Sequence, residues 1–203
     1  MPTATITTII GWDFNKFSLD GFSSAVGWVK LSLKQLFTLH IAYDNKRRRL
    51  NRIASKKLRS GKRLKQKYQR RERNRVQHFL HRLTNFLTLL GQRHGVEDLQ
   101  KHTLYRKGRR RWNRELGYTD WKRIVSLMNY KSRVELLNPY LTSKTCSACR
   151  WLNKDRNGAV FRCQRCGVVI DRQLNAAINL YLKMEGLSPH PTTFFRSVVR
   201  PLL

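Results

Sequence analysis

Acidic residues are scarce in this chain. Twelve Asp and Glu stand against 42 Lys and Arg, for a formal net charge of +30 over 203 residues. A domain that basic repels itself unless it meets a polyanion, so composition alone points to a nucleic-acid partner. An anionic membrane surface is the rival partner, but no amphipathic Trp/Leu helix with a basic face dominates the chain. Long hydrophobic runs are missing too. No stretch of about eighteen apolar residues occurs, which excludes a transmembrane helix. The opening "MPTATITTIIGW" lacks the basic start of a signal peptide, so the expected location is cytoplasmic. Cysteine is limited to four residues, all between 146 and 166. Clustered CxxC pairs in a chain without an export signal read as metal ligands, not as disulfides. What remains is ample for a core: 40% hydrophobic residues and five Trp. The length suits one domain plus a small module.

The pattern along the chain alternates strand and helix signals. Residues 4 to 33 read as a three-stranded antiparallel meander: β-branched, apolar "TATITTIIGWDF", then "KFSLDGF" and "AVGWVKLSL", with Gly21, Ser23 and Ser24 between the last two. Residues 46 to 75 hold sixteen Lys or Arg, one acid (Glu72) and no Pro. From 76, apolar residues recur at 79, 80, 83, 86, 87 and 90, the spacing of a helix with one buried face, until Gly91 and Gly95. This predicts a basic helical insertion over about 46–94. "GVEDL" follows, then a polar, basic loop over 102–116. A helix is expected over 119–133, with a Thr/Asp N-cap signal, and a strand in "VELLNPYLTS". A last helix is expected over 171–186, opened by Asp171 and stopped by Gly186.

Cys146, Cys149, Cys163 and Cys166 form two CxxC pairs separated by thirteen residues. Each CxxC turn sets two thiolates on one side of a knuckle, and two knuckles complete a tetrahedral sulfur shell for Zn²⁺. A redox or iron–sulfur role fits the ribbon-like spacing less well. Four thiolates leave no open position, so the zinc is expected to be structural.

The few acids are informative because each is costly in so basic a chain. Asp13 ends a hydrophobic strand, Glu97 sits in "GVEDL", and Asp171 opens the last helix. Three acids at element ends can converge on Mg²⁺ or Mn²⁺, whose hard character calls for oxygen ligands. Each also has a plain alternative: a turn residue, a partner for an arginine, and an N-cap.

Read together, "YLTSKTCSACR", "FRCQRCG" and "DRQLNAAINL" resemble the C-terminal part of TnpB, the transposon-encoded RNA-guided nuclease related to the type V CRISPR effectors. "GWDFNKFSLDGF" resembles the first motif of that family's RuvC nuclease domain, "GVEDL" the second and "DRQLNAAINL" the third. The resemblance covers most of residues 6 to 186. It implies an α/β fold: an RNase H-like mixed sheet flanked by helices, with an inserted zinc ribbon. The implied division is a nuclease core over 1–143, the ribbon over 144–168, the last motif and helix over 169–186, and a tail over 187–203. It implies a divalent-metal-dependent DNA endonuclease with Asp13, Glu97 and Asp171 as catalytic acids, and guide RNA and target DNA as partners.

Two departures stand out. The family's third acid commonly lies two residues before the Asn, and Gln173 occupies that position. The third acid is therefore Asp171 or is missing, and a missing acid implies a guided binder that does not cut. The family is also about twice this length, so the chain reads as a naturally trimmed protein, a truncated remnant, or one half of a system completed by a homodimer or a separate protein.

The basic residues are expected to bind phosphate. Arg47, Arg48, Arg49, Lys56, Lys57, Lys62, Arg63, Arg70 and Arg71 lie in the insertion. At this density they release counterions from nucleic acid without reading bases. A solvated face or a localisation signal is the plain alternative. Arg109, Arg110 and Arg111 flank Trp112, an aromatic suited to stacking on an unpaired base or to anchoring a core. Arg150, Lys154, Arg156, Arg162 and Arg165 line the ribbon.

Overall fold

The computed structural model describes residues 8–55, 58–154 and 158–186. The expected sites Lys56, Lys57 and Arg156, and the 187–203 tail, lie outside them. Three antiparallel strands open the fold: β1 (Ile9–Phe14), β2 (Ser18–Ser23) and β3 (Gly27–Ser32). Two helices follow, α1 (Lys34–Ala54) and α2 (Leu58–Leu90). Then come β4 (Arg93–Glu97), α3 (Lys101–Leu104), α4 (Arg110–Gly117), α5 (Trp121–Lys131) and β5 (Arg133–Leu137). The described residues close with a small hairpin, β6 (Val160–Arg162) with β7 (Val169–Asp171), and α6 (Arg172–Glu185). The main sheet has the order β3-β2-β1-β4-β5, with β4 parallel to β1 and β5 parallel to β4. This is the RNase H-like mixed α/β sheet. Among the described residues no helix is long and apolar enough to cross a membrane.

β1 is central and buried along its whole length, as expected of a strand covered on both faces. Its alternate residues face different layers. Ile10, Trp12 and Phe14 join a core with Val76, Leu80 and Leu87 of α2 and Ile124 and Met128 of α5. Ile9 joins a second core with Phe22 of β2 and Ala177, Ile178 and Tyr181 of α6. α6 lies almost on the backbone of β1. A Cβ at Gly11 would stand 2.3 Å from the Tyr181 nitrogen and 2.6 Å from the Ala177 carbonyl oxygen. Only glycine fits there, and small Ala176 and Ala177 complete the close approach.

The meander, the α5 and α6 helices and the β5 strand match the sequence expectation. Two boundaries differ. The helical insertion starts at Lys34, not near 46. The sequence boundary followed charge, but Leu36, Tyr43 and Leu50 are buried at helical spacing well upstream of and into the basic run. The expected 102–116 loop holds α3 and α4 instead. Buried Leu116 anchors α4 in the core, and Arg111 pairs with Glu115 one turn on. The lone acid of the basic run, Glu72, joins α2 to α1 by accepting from Arg47 and bonding His40.

Candidate active site

One row of side chains crosses the sheet at the end of β1. Gly11 aligns with Gly95 and Trp12 with Val96, so Asp13 and Glu97 stand one residue beyond on neighbouring parallel strands. Asp13 is paired with Asp20 across β2, and Asp20 with Lys30 across β3. Directly opposed residues share a face. Asp13 shares its face with Gly11, Glu97 with Gly95, and Asp20 with Phe22, and that face is the one α6 covers. The acids therefore look toward the first turn of α6.

Asp13 and Glu97 are buried at the head of a cleft of about 880 Å³. Burial pushes the Asp13 carboxyl up to about 8, and the neighbouring Glu97 charge adds to the rise. Asn15 donates to Asp13 at 2.8 Å and opposes the shift. Burial also raises Glu97, against the hydrogen bond from the Thr142 hydroxyl and the charge of Lys183. Two carboxyls are thus held close together with too little positive charge between them. That donor set fits a hard divalent cation. Asp98, Gln173, Lys16, Arg106 and Arg172 line the same cleft.

The third expected acid is placed differently. Asp171 ends β7 and caps α6, its Oδ1 accepting from the Gln173 and Leu174 amides at 2.8 and 3.2 Å. It is not among the residues that line the cleft, whereas Gln173 is. The structure therefore brings Asp13, Glu97 and Gln173 together and leaves Asp171 at the rim as a cap. The Gln173 amide carbonyl accepts from Lys30 at 3.0 Å.

The four cysteines converge. Their sulfurs all lie within 4.8 Å of one another, with Cys146–Cys166 at 3.7 Å and Cys149–Cys163 at 3.5 Å. Tetrahedral zinc thiolates would be about 3.8 Å apart, so the group fits a metal ion in a zinc-ribbon lobe. Burial raises the Cys146 thiol. At Cys163 burial also pushes upward, but the Cys166 and Arg165 amides outweigh it and bring the thiol to about 7.

The lobe is stapled to α6 by two buried asparagines. Asn175 accepts from the Ser147 amide at 2.9 Å and donates to the Thr145 carbonyl at 2.8 Å. Asn179 donates to the carbonyls of Thr142 and Thr145 at 2.8 and 2.7 Å. The sequence alone did not separate these structural amides from site residues, and it did not single out Thr142.

The cations expected to bind phosphate divide. Arg48, Arg49, Lys62, Arg63, Arg70 and Arg71 are exposed on α1 and α2, although Arg48 also pairs with Asp44. Arg47 is half-buried in the bond to Glu72. Arg109, Arg110 and Arg111 are exposed on and just before α4. Trp112 holds two cations over its ring, Lys16 at 3.9 Å and Arg106 at 5.1 Å from the centroid, and its Nε1 donates to the Leu104 carbonyl. It sets the two cations at the cleft edge. A separate hollow of about 770 Å³ between α1 and α2, lined by Leu39, Phe79, Leu83 and Phe86 among others, carries no acid.

The TNB domain of Cas12f1-like proteins matches residues 121–180. The chain is 33% identical over 181 residues to TnpB-like protein MJ1635 of Methanocaldococcus jannaschii, covering 88% of this chain and 43% of that one. It is 38% identical over 117 residues to TnpB-like protein MJ0012 of the same organism, covering 57% and 55%. Among solved structures, a Cas12f1–sgRNA–target DNA complex aligns with a TM-score of 0.53 and 20% identity, over 89% of this chain and 50% of that one. CasPhi-2 (Cas12j), bound to crRNA and phosphorothioate-DNA, aligns at 0.54 and 11% identity, over 92% and 46%. The chain spans about half the length of the two relatives. With the motifs in order on an RNase H-like sheet and four thiols gathered in one lobe, the chain belongs to the TnpB-like proteins.

Proposed function

We propose that the chain is the nuclease part of a compact TnpB-like RNA-guided DNA endonuclease that hydrolyses phosphodiesters at a RuvC-type site. The observation that carries this reading is the pair Asp13 and Glu97, buried side by side at the ends of parallel strands in a cleft rimmed by Lys16, Arg106 and Arg172. Asp13 and Glu97 would hold Mg²⁺ or Mn²⁺. When bound, such an ion supplies Lewis acidity and a water of lowered pKa beside the scissile phosphate. Lys16, Arg106 and Arg172 would grip the flanking phosphates and fix the strand across the acids. Thr142 fixes the Glu97 carboxylate by its hydrogen bond.

Cys146, Cys149, Cys163 and Cys166 would hold Zn²⁺, which closes the ribbon and contributes no chemistry. The exposed cations of α1 and α2 would bind guide RNA and target DNA through phosphates, with sequence read by base pairing. That solved relatives of this fold are complexes with guide RNA and target DNA supports those partners.

A second reading is a guided binder that does not cut. It is favoured by Gln173, a neutral amide in the cleft where the family's third acid stands, and by the use of Asp171 as a cap. Cleavage of single-stranded DNA by the chain with its co-purified RNA, in Mg²⁺ or Mn²⁺, separates the two. Cutting that disappears in Asp13→Ala and Glu97→Ala supports the nuclease. Metal-independent, salt-sensitive binding with no cutting supports the binder. Cutting that survives Asp171→Ala assigns that residue to the helix cap alone.

A further inference from the structure

The negative charge that Gln173 fails to supply is present from another strand. Asp20 is fully buried, opposite Asp13 on β2 and on the same face. Directly opposed Cβ atoms lie about 5 Å apart, so the two carboxyls are immediate neighbours. The Asp20 charge also helps to raise the Asp13 carboxyl. Asp20 Oδ2 accepts from the Ser18 hydroxyl at 2.7 Å. Asp20 Oδ1 has no hydrogen-bond partner. A buried carboxylate oxygen without a donor is costly unless something else satisfies it.

A cross-strand ion pair with Lys30 is the plain reading, and the geometry fits it poorly. The Lys30 ammonium is 3.6 Å from Asp20 Oδ1, too far for a good hydrogen bond. It donates instead to the Gln173 carbonyl at 3.0 Å and stands 3.7 Å from Asp171 Oδ2. A cation on a half-exposed, flexible stem therefore sits among three oxygens, one of them fully buried. As Lys30 stands, Asp20, like Asp171, does not line the cleft; withdrawing that stem would open Asp20 Oδ1 toward Gln173 and the cleft.

We propose that Asp20 is the third carboxylate of the divalent-cation site, replacing the acid absent at Gln173, and that the Lys30 ammonium competes with the cation for it. This rests on reading the cleft as a metal site, so the test must separate the two. The full chain, loaded with zinc and free of nucleic acid, is titrated with Mn²⁺, and free Mn²⁺ is followed by electron paramagnetic resonance. Asp20→Asn is expected to weaken Mn²⁺ binding by about tenfold or more, the scale seen for groups that support a metal site. Adding Gln173→Asp to Asp20→Asn is expected to restore it. A structural salt bridge lost to Asn would not be rescued by an acid at 173. Lys30→Met is expected to tighten Mn²⁺ severalfold and keeps the test decisive if Asp20→Asn fails to fold.

Wild-type affinity in Asp20→Asn, with binding lost in Asp13→Asn, overturns the role of Asp20 and leaves the cleft reading intact. So does a loss in Asp98→Asn with Asp20→Asn silent. Unchanged or weaker binding in Lys30→Met also overturns it. No Asp13-dependent Mn²⁺ binding in the wild type overturns both readings.

Discussion

The cleft and the ribbon joint bury polar groups within one helix of each other, and they treat them in opposite ways. At the joint, Asn175 and Asn179 are essentially inaccessible, and each amide group meets backbone partners at 2.7–2.9 Å. In the cleft, Asp13 and Glu97 are nearly as buried but face each other, and both carboxyls are raised. Satisfied buried amides hold a structure together. Crowded buried carboxyls cost stability until a cation or proton arrives. The difference separates a fastening from a site more sharply than residue type does.

Four measurements would break or sharpen that contrast. The largest effect is expected from the ribbon's metal. Chelation, or Cys163→Ser, removes a contribution of about 10 kcal/mol in comparable sites. A thermal melt should then show the ribbon and the start of α6 unfolding before the sheet. Next, Asn179→Leu leaves the Thr142 and Thr145 carbonyls without that donor. Denaturant unfolding should show a loss of about 2–4 kcal/mol.

In the cleft the sign should invert. Asp13→Asn should raise the stability of the zinc-loaded protein without Mg²⁺ or Mn²⁺ at pH 8 by about 1–2 kcal/mol, while it abolishes any cutting. The pH dependence follows from the raised carboxyl. Folded Asp13 keeps its proton up to about 8, against 3.8 when unfolded. Its contribution to stability is present below pH 3.8 and is lost as pH rises toward 8. Melting of the zinc-loaded wild type without Mg²⁺ or Mn²⁺ should therefore fall more steeply from pH 4 to 8 than melting of Asp13→Asn. A parallel pair of curves would refute the crowding. The smallest stability effect, within about 0.5 kcal/mol, is expected from neutralising Arg70, Arg71, Arg73 and Arg75 to Gln. The same change should lower the salt slope of nucleic-acid binding by about 0.7–0.9 for each phosphate that is no longer neutralised.

The fold was largely legible because its signals are local. The meander, the α5 and α6 helices and the cysteine knuckles each follow from spacing and end residues. Asp13 was legible as an acid closing an apolar strand in so basic a chain, and Glu97 through the resemblance of "GVEDL" to a family motif. Asp20 was not, although it lies only seven residues after Asp13. Its meaning depends on which residue it opposes across β1, and strand register is set by tertiary pairing. Asp171 illustrates the converse. Its position before a helix signals an N-cap, and the structure makes that cap. Asn175 carries no such local signal, because a buried amide can serve a metal or a backbone alike. Its bonds with the Ser147 amide at 2.9 Å and the Thr145 carbonyl at 2.8 Å assign it to the joint.

One residue joins the two regions. Thr142 gives its hydroxyl to Glu97 and its carbonyl to Asn179, so the loop that leads into the cysteine lobe ends on an acid of the cleft. The consequence is an order of assembly. A chain whose lobe has not closed lacks the staple that seats Thr142, and Glu97 then loses its donor. On the proposed reading, such a chain would be disarmed from a distance, and metal supplied to the cysteine lobe would be a licence for the cleft to work.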